Sequence, residues 1–105
     1  MPREFRLRSS EEIRQVVSSG SRVSNSIGTL HYQPANQNQF AIIVSKAIGS
    51  AVTRNLVKRR VRQVLRNHID RDPALKAALR MKPGVDKLSY QTLEEEVAAL
   101  FARAK

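Results

Sequence analysis

The side chains with the clearest chemistry form one basic segment of the chain. Residues 51–68, AVTRNLVKRRVRQVLRNH, contain six Lys or Arg residues and no carboxylate. Guanidinium groups fit phosphates as planar forks, and ammonium groups bind them as point charges. A surface built only for solubility would mix both signs of charge. The segment therefore predicts a binding surface for a polyanion.

Helical periodicity sorts this segment into stripes. At about 100° per residue, one row holds Arg54, Lys58, Arg62 and Arg66, flanked by Asn55 and Arg59. A neighbouring apolar stripe holds Val57, Val61, Val64 and Leu65, while Val52 and Leu56 lie beyond the row. Like charges four residues apart cost roughly 0.2–0.5 kcal/mol per pair. We expect the apolar stripe to pack on a sheet and the row to face outward toward phosphates, because a merely solvated face would carry balancing acids.

The charge of the chain is concentrated in its middle. The net charge is +10, and residues 13–69 hold nine Lys or Arg residues and no acid. The sequence has no cysteine, no apolar run of the ~20 residues that cross a bilayer, and no apolar segment behind its basic N-terminus. We therefore expect a cytoplasmic protein without membrane contact, with one domain over residues 1–105.

Groups for catalysis by the polypeptide are scarce. Protein-catalysed phosphodiester hydrolysis usually needs a carboxylate cluster that holds metal, or a placed histidine base. The chain has two histidines, His31 and His68, and no acid between Glu12 and Asp70. It also lacks a P-loop and zinc-ligand spacing. The sequence predicts no catalytic residue and no metal site in the polypeptide itself.

Two helices and two strands are expected to position the basic segment. RLRSSEEIRQVVSSG predicts a first helix with a Ser9–Glu12 capping box and an apolar side of Ile13, Val16 and Val17. IGTLHYQ and QFAIIVSK predict strands joined by the loop PANQN. The basic helix begins after Gly49, with Ser50 as its cap, and ends near His68.

Alternation assigns two faces to the predicted strands. One face is expected to be core and holds Leu30, Tyr32, Phe40, Ile42 and Val44. The other face holds Thr29, His31, Ala41 and Ile43. Because this second face is not fully polar, we expect another element to cover it or a ligand to bind there.

The C-terminal third holds one ambiguous element and one clear one. In DPALKAALRMK, the Asp-Pro start favours a helix, whereas alternating apolar residues favour a half-buried strand. Local reasoning leaves both alternatives open for residues 73–81. LSYQTLEEEVAALF predicts a helix capped by Ser89, with one apolar face of Leu93, Val97, Leu100 and Phe101.

The stretch VSKAIGSAVTRNLVKRRVRQVL resembles the signature of the protein subunit of bacterial ribonuclease P, which runs roughly V-S-K-K-x-G-x-A-V-x-R-N-R-x-K-R-x-x-R. The matching residues are Val44, Ser45, Lys46, Gly49, Ala51, Val52, Arg54, Asn55, Lys58, Arg59 and Arg62. FRLRSSEEIRQVVSSG and LSYQTLEEEVAALF are similar to their family counterparts. The resemblance therefore covers nearly the whole chain.

The resemblance implies a function. Such proteins are accessory subunits of a ribozyme, an endoribonuclease whose catalytic RNA uses bound Mg²⁺ to remove the 5′ leader of precursor tRNA. It implies a single RNA-binding domain with these two RNA partners, and no DNA partner is expected. The RNA-binding set comprises Lys46, Arg54, Asn55, Lys58, Arg59, Arg62 and Arg66. The leader cleft lies between the first helix and the open sheet face and comprises Ile13, Val17, Thr29, His31 and Ile43.

The resemblance also implies a fold. It is α+β, an α/β sandwich in which helices pack on a small central sheet. A left-handed βαβ crossover runs through the arginine-rich helix, whereas general topology favours right-handed ones. Residues 76–81 become a strand parallel to residues 40–46.

The chain departs from the family pattern at several positions. Leu56 stands where the family usually has Arg, which removes one RNA contact or displaces it to Arg60. Family members often place aromatics in the cleft, at positions that here hold Ile13, Val17 and His31. Stacking on an aromatic is worth ~1–3 kcal/mol per base, so we expect weaker leader binding through apolar contact.

Two other functions share part of these features. A ribosome-associated protein or RNA chaperone would have the same charge without needing a leader cleft. A DNA-binding module is disfavoured because no helix lies at close spacing to residues 51–68 to form a helix-turn-helix.

Overall fold

The protein is a mixed four-stranded sheet with helices on both faces. A computed structural model describes residues 5–104, so residues 1–4 and 105 of the expected domain lie outside the described part. The helices are α1 (Ser10–Ser19), α2 (Ala51–Leu65) and α3 (Tyr90–Arg103). The strands are β1 (Ser21–Ser24), β2 (Gly28–Pro34), β3 (Gln39–Ile43) and β4 (Leu75–Met81). Short 3₁₀ turns cover Lys46–Ile48, Arg66–His68 and Val85–Lys87.

The strand order is β1-β2-β4-β3, so β4 lies between the two strands that precede it in sequence. β2 pairs with β1 and β4 antiparallel, and β3 pairs with β4 parallel, with Ile42 opposite Leu79. The parallel pair is connected through α2. The strand alternative for residues 73–81, and its parallel pairing with β3, are therefore confirmed.

Strand β4 is locally ambiguous because one face is fully buried, while the other holds the buried Ala78 between the half-buried Lys76 and the exposed Arg80. Leu75, Ala77, Leu79 and Met81 enter the larger core, and Ala78 on the opposite face is fully buried as well. Alanines weaken the strand signal of the sequence, yet their small side chains fit a central strand covered on both sides. Strand β1 is absent from the sequence predictions because SRVS is short and polar.

The larger core lies between the sheet and the helices α2 and α3. Leu30, Tyr32 and Phe40 contribute from the sheet, and Ile42 and Val44 pack against them half-buried. The predicted helix stripes face this core, with Val57, Val61, Val64 and Leu65 from α2 and Leu93, Val97, Leu100 and Phe101 from α3. The predicted core face of the strands is confirmed.

A second, smaller cluster lies between α1 and the opposite sheet face. Its buried members are Leu7, Val16, Ala41 and Ala78, and its half-buried members are Ile13, Val17 and Ile43. Helix α1 therefore covers part of the second face, for which the sequence left open a covering element or a bound ligand. Within residues 5–104, no helix is long and apolar enough to span a bilayer.

Serine caps fix the start of each helix, as the sequence predicts. Ser9 Oγ accepts from the Glu12 amide at 3.3 Å, Ser50 Oγ from Thr53 at 3.3 Å, and Ser89 Oγ from Thr92 at 3.1 Å. Each bond satisfies one amide that has no partner inside its helix. The start of the basic helix is thereby fixed directly after the 3₁₀ turn of residues 46–48.

Gly20 ends α1 in an extended conformation, with φ −75° and ψ 168°. A Cβ atom at this position would lie 2.5 Å from the Val16 carbonyl oxygen and 2.7 Å from that of Tyr32. The glycine is required because the chain passes closely between α1 and β2 at this point, and this close approach places the end of α1 against the sheet.

Candidate nucleic-acid interface

The orientation of α2 is set by its apolar stripe. Because Val57, Val61 and Leu65 are at most 1% exposed, the opposite side of the helix must face solvent. That exposed side carries Val52, Asn55, Leu56, Arg59, Gln63 and Arg66. We call these six residues the outer face of α2. Lys46 is exposed in the 3₁₀ turn that precedes the helix.

The prediction that the whole basic row faces outward is wrong for three of its members. Arg54, Lys58 and Arg62 are half-buried, and Arg66 alone is fully on the exposed side. A row of residues four apart winds slowly around the helix, so it begins beside the buried stripe and reaches solvent at its C-terminal end. The centre of the exposed side is instead occupied by Val52, Leu56 and Arg59.

The cations of α2 have no carboxylate partner among the described residues. Within residues 5–104, the one ion pair with nitrogen and oxygen inside 4.0 Å joins Lys76 to Glu12. Beyond the C-terminal end of α2, the side-chain amide of Asn67 donates to Glu94 Oε2 at 3.3 Å. The positive charge of the helix is therefore available to an external anion.

Lys58 and Arg62 line a groove that also receives two arginines from the N-terminal segment. The backbone of Arg6 forms an isolated parallel β-bridge with Phe40 on the edge strand β3. The Leu7 amide donates to the Phe40 carbonyl oxygen at 2.9 Å. The groove is about 320 Å³ and is lined by Arg6, Leu7, Arg8, Ile13, Phe40, Ala41, Ile42, Lys58 and Arg62. Nε of Arg6 is buried without a hydrogen-bond partner. Four cations thus converge where α2 meets the sheet edge.

A cleft between α1 and the sheet continues from this groove. It has a volume of about 350 Å³ and is lined by Ser10, Ile13, Arg14, Val17, Ser18, Ile43 and Arg80. Ile13 also lines the groove, so the two depressions are contiguous. The structure therefore brings three of the predicted cleft residues together, Ile13 and Val17 from α1 and Ile43 from β3.

The cleft extends across the sheet to a third depression of about 400 Å³. Its lining comprises Thr29, Ile43, Ser45, Arg80, Met81, Lys82 and Pro83. Ile43 and Arg80 are shared with the α1 cleft. Thr29, also a predicted cleft residue, lies at this far end, where its hydroxyl contacts that of Ser24 at 2.8 Å. The predicted cleft residues Ile13, Val17, Ile43 and Thr29 are thus distributed along the whole cleft and do not form one cluster.

His31 lies on the predicted face but beneath its surface. It is 5% exposed, and its Nδ1 is buried without a hydrogen-bond partner. Burial lowers the pKa of His31, and the positive charges of Arg80 and of Arg22, its cross-strand neighbour, lower it further. A ring that is 5% exposed does not present its face at the surface, so the structure gives no support to the expected contact of His31 with the leader.

Several basic residues of the cleft are missing from the sequence predictions. Arg6 and Arg8 enter the groove, and Arg14, Arg80 and Lys82 line the cleft and its extension. The signal for Arg80 was present, because in a strand it shares a face with Ala78 and Lys76. This shared face exists only if the segment is a strand, and the local pattern of residues 73–81 fits a helix as well.

No metal centre is built from the described side chains. Residues 5–104 contain no group of three or more His, Cys, Asp or Glu side chains that could hold an ion. The chemistry that this surface offers is recognition, with cations for phosphates and apolar side chains for bases or sugars.

Comparisons with known sequences point to one family. The family model described as Ribonuclease P matches residues 1–105. The ribonuclease P protein component of Phytoplasma australiense is 35% identical over 102 residues, which cover 93% of this chain and 89% of that protein. The counterpart from Brevibacillus brevis is 34% identical over 110 residues, covering 100% and 86%.

Solved structures share the fold at low sequence identity. The RNase P protein of Staphylococcus aureus has a TM-score of 0.86 at 19% identity, over 96% of this chain and 95% of that chain. The RNase P protein of Thermotoga maritima, solved with 1-(4-fluorophenyl)-2-thiourea, has a TM-score of 0.83 at 18% identity, over 92% and 97%. These likenesses confirm the α+β fold. Together with the family match over all 105 residues, they lead to one conclusion: the chain belongs to the ribonuclease P protein family.

Proposed function

We propose that this protein binds the catalytic RNA of ribonuclease P through α2 and holds the 5′ leader of precursor tRNA in the α1 cleft. In the assembled endoribonuclease the RNA makes the cut, and the protein positions the substrate. The observation that carries this proposal is the cationic surface of α2, which has no carboxylate partner among residues 5–104.

The shape of the second site supports a single-stranded ligand. The cleft shares Ile13 with the groove beside α2, and it shares Ile43 and Arg80 with the depression at Lys82; its lining combines apolar side chains with arginines. An extended strand of RNA presents both bases and phosphates to such a surface. Ile13, Val17 and Ile43 would contact bases or sugars, and Arg14 and Arg80 would contact phosphates.

The contiguity of groove and cleft supports a connection between the two partners. Lys58 and Arg62 belong to the helix assigned to the catalytic RNA, yet they line the groove with Ile13, which also lines the cleft. A leader lying in the cleft would therefore reach the RNA-binding helix directly. The protein would place its two RNA partners side by side.

Mg²⁺ is assigned to the RNA of the complex. The described residues contain no ligand cluster for an ion, so they do not fit a resident metal. The contribution of the polypeptide is charge, which reduces the repulsion between two polyanions. High Mg²⁺ should partly replace this contribution.

Salt dependence of assembly tests the proposal. The dissociation constant of the protein with its cognate ribonuclease P RNA is measured over a salt series. Each phosphate contact contributes about one unit of slope between log affinity and log salt. Arg59→Ala on the outer face should weaken binding and lower the slope by about one, as should Arg54→Ala, Lys58→Ala and Arg62→Ala. Gln63→Ala, on the same face without a charge, should leave both unchanged.

Copurification separates this function from that of a general RNA chaperone. The tagged protein should recover one abundant structured RNA, which supports precursor cleavage when isolated with the protein. Two results together would contradict the proposal. The protein would recover ribosomal RNA or a mixture of messenger RNAs, and Arg59→Ala would bind the cognate RNA with the affinity of the parent protein.

A further inference from the structure

Two exposed apolar side chains lie on the outer face of α2. Val52 is 80% exposed and Leu56 is 38% exposed, and they are the exposed large hydrophobic residues of the described chain. They are four residues apart, so they are neighbours on the helix surface. Single exposed apolar residues are common, but this pair lies within the surface assigned to RNA.

The surroundings of the pair are polar and positive. Asn55 and Arg59 are exposed beside it on the same helix, and Lys46 is exposed in the preceding turn. No described carboxylate pairs with these cations. A partner for this patch must therefore be apolar at its centre and negative around it.

We propose that Val52 and Leu56 contact the face of an unpaired nucleobase in the RNA bound by α2. The inference rests on the proposed function and deepens it by naming the chemistry of this contact. A base offers an uncharged, weakly hydrated face with phosphates on both sides, which matches an apolar pair between cations. Leu56 has no donor for a phosphate, so its contact with RNA would be through an apolar face.

Charge disfavours a second copy of the chain as the occupant. Two α2 helices packed through Val52 and Leu56 would bring both copies of Arg59 and Lys46 together, without a described acid to balance them. Like charges opposed across an interface suppress association. An RNA partner neutralises the same charges, so it satisfies both the apolar and the cationic parts of the surface.

Affinity measurements distinguish a base contact from a phosphate contact. Leu56→Ala and Val52→Ala are compared with Arg59→Ala and Gln63→Ala for binding to the cognate ribonuclease P RNA over a salt series. Leu56→Ala removes three carbon atoms, and only the exposed 38% of the residue remains for RNA to bury. At about 0.8 kcal/mol per buried CH₂, binding should therefore weaken about three- to tenfold with an unchanged salt slope. Arg59→Ala should lower the slope. Both apolar changes are at exposed sites and favour helix formation, so the fold should be retained.

Chemical footprinting supplies an independent readout. Dimethyl sulfate reports the base, and hydroxyl radicals report the backbone. In complexes formed at saturating protein, Leu56→Ala should restore dimethyl sulfate reactivity at an unpaired adenine or cytosine without restoring backbone cleavage. Arg59→Ala should restore backbone cleavage instead.

The outcomes separate this inference from the proposed function. If Arg59→Ala weakens binding while Leu56→Ala and Val52→Ala bind as the parent protein does, the base contact is refuted and the RNA-binding role of α2 stands. If Arg59→Ala also has no effect, both fail. If the free protein sediments as a dimer that Leu56→Ala dissociates, with RNA affinity unchanged, the pair is a protein–protein contact.

Discussion

Lys76 Nζ lies 3.0 Å from Glu12 Oε2, which joins β4 to the first turn of α1. Both side chains are partly exposed, at 25% and 44%, so the pair contributes at most about 1 kcal/mol. Its position matters more than its energy. It holds the N-terminal end of α1 on the sheet, whereas Val17 at the other end faces Ile43 and Arg80 across the open cleft.

Val17→Asp tests the cleft at this open end. The substitution removes an apolar contact and adds a negative charge beside the leader phosphates. We expect binding of leader-bearing precursor tRNA to weaken roughly tenfold, or about 1.4 kcal/mol, with little change for mature tRNA. Titration of holoenzyme with both substrates measures the difference. Ser19→Asp, which adds the same charge to an exposed residue of the same helix, is the matched control.

Circular dichroism of Val17→Asp must accompany that measurement, because Val17 is half-buried against the smaller core. Loss of the helical signal would mean that the residue acts in packing. A folded variant that binds both substrates with unchanged affinity would show that the leader does not lie in the cleft.

The isolated polypeptide should leave precursor tRNA intact in the presence of Mg²⁺. The described residues offer no carboxylate cluster, and neither histidine forms an ion pair with a described acid; His31 is buried and His68 is stacked on Phe101. Addition of the cognate RNA should give accurate 5′ cleavage at low salt. Gel analysis of the cleavage products measures both reactions. Metal-dependent cutting by rigorously RNA-free protein would contradict this prediction.

Phe101 should be essential for stability. Its ring is 1% exposed, packs edge-on to Phe40 at 5.3 Å between centroids, and stacks with His68 at 4.4 Å. Phe101→Ala should lower the free energy of unfolding by about 3–5 kcal/mol, a large part of a small domain's stability. Urea denaturation measures this loss. Ala102→Ser, at an exposed position of the same helix, should change little, and an equal loss there would refute the packing explanation.

Stability should fall on acidification through the two histidines. Burial and nearby arginines lower the pKa of His31 and of His68 from 6.5, while Glu94 partly opposes the shift at His68. Below about pH 6.5 the unfolded chain therefore binds more protons than the folded chain, so unfolding becomes easier as pH decreases. Urea midpoints at about pH 7.5 and about pH 5.5 measure the change. His31→Gln should reduce the difference, and an unchanged pH dependence in both His31→Gln and His68→Gln would disprove it.

Local patterns in the sequence were sufficient for the helices and for the core face. Ser9, Ser50 and Ser89 sit directly before amphipathic segments, so caps and periodicity agreed and all three helices begin as predicted. Strand β4 could not be assigned locally because Ala78 lies on the same face as Lys76 and Arg80, and its burial depends on α1. The family resemblance supplied the pairing that local signals lacked.

The sequence predicts which charged residues the site contains, but it predicts less well which of them face solvent. The cations of α2 are evident from the sequence, but which of them face solvent depends on how the buried stripe meets the sheet. For this reason Arg54, Lys58 and Arg62 lie on the flank, and Val52 and Leu56 take the centre. Arg6 lines the groove and Arg80 lines the neighbouring cleft, and only tertiary structure brings these distant parts of the sequence into one surface.

The place of β4 in the sheet has a consequence for synthesis of the chain. β2 and β3 are made first, yet they do not pair with each other, and the strand that joins them begins only at Leu75. Until then each presents an open edge of unpaired amides and carbonyls, the feature through which strands of separate chains associate. A nascent polypeptide interrupted before Leu75 would thus expose two unpaired strand edges that can associate with other chains. Once β4 is complete, it pairs with both β2 and β3 and covers these edges together.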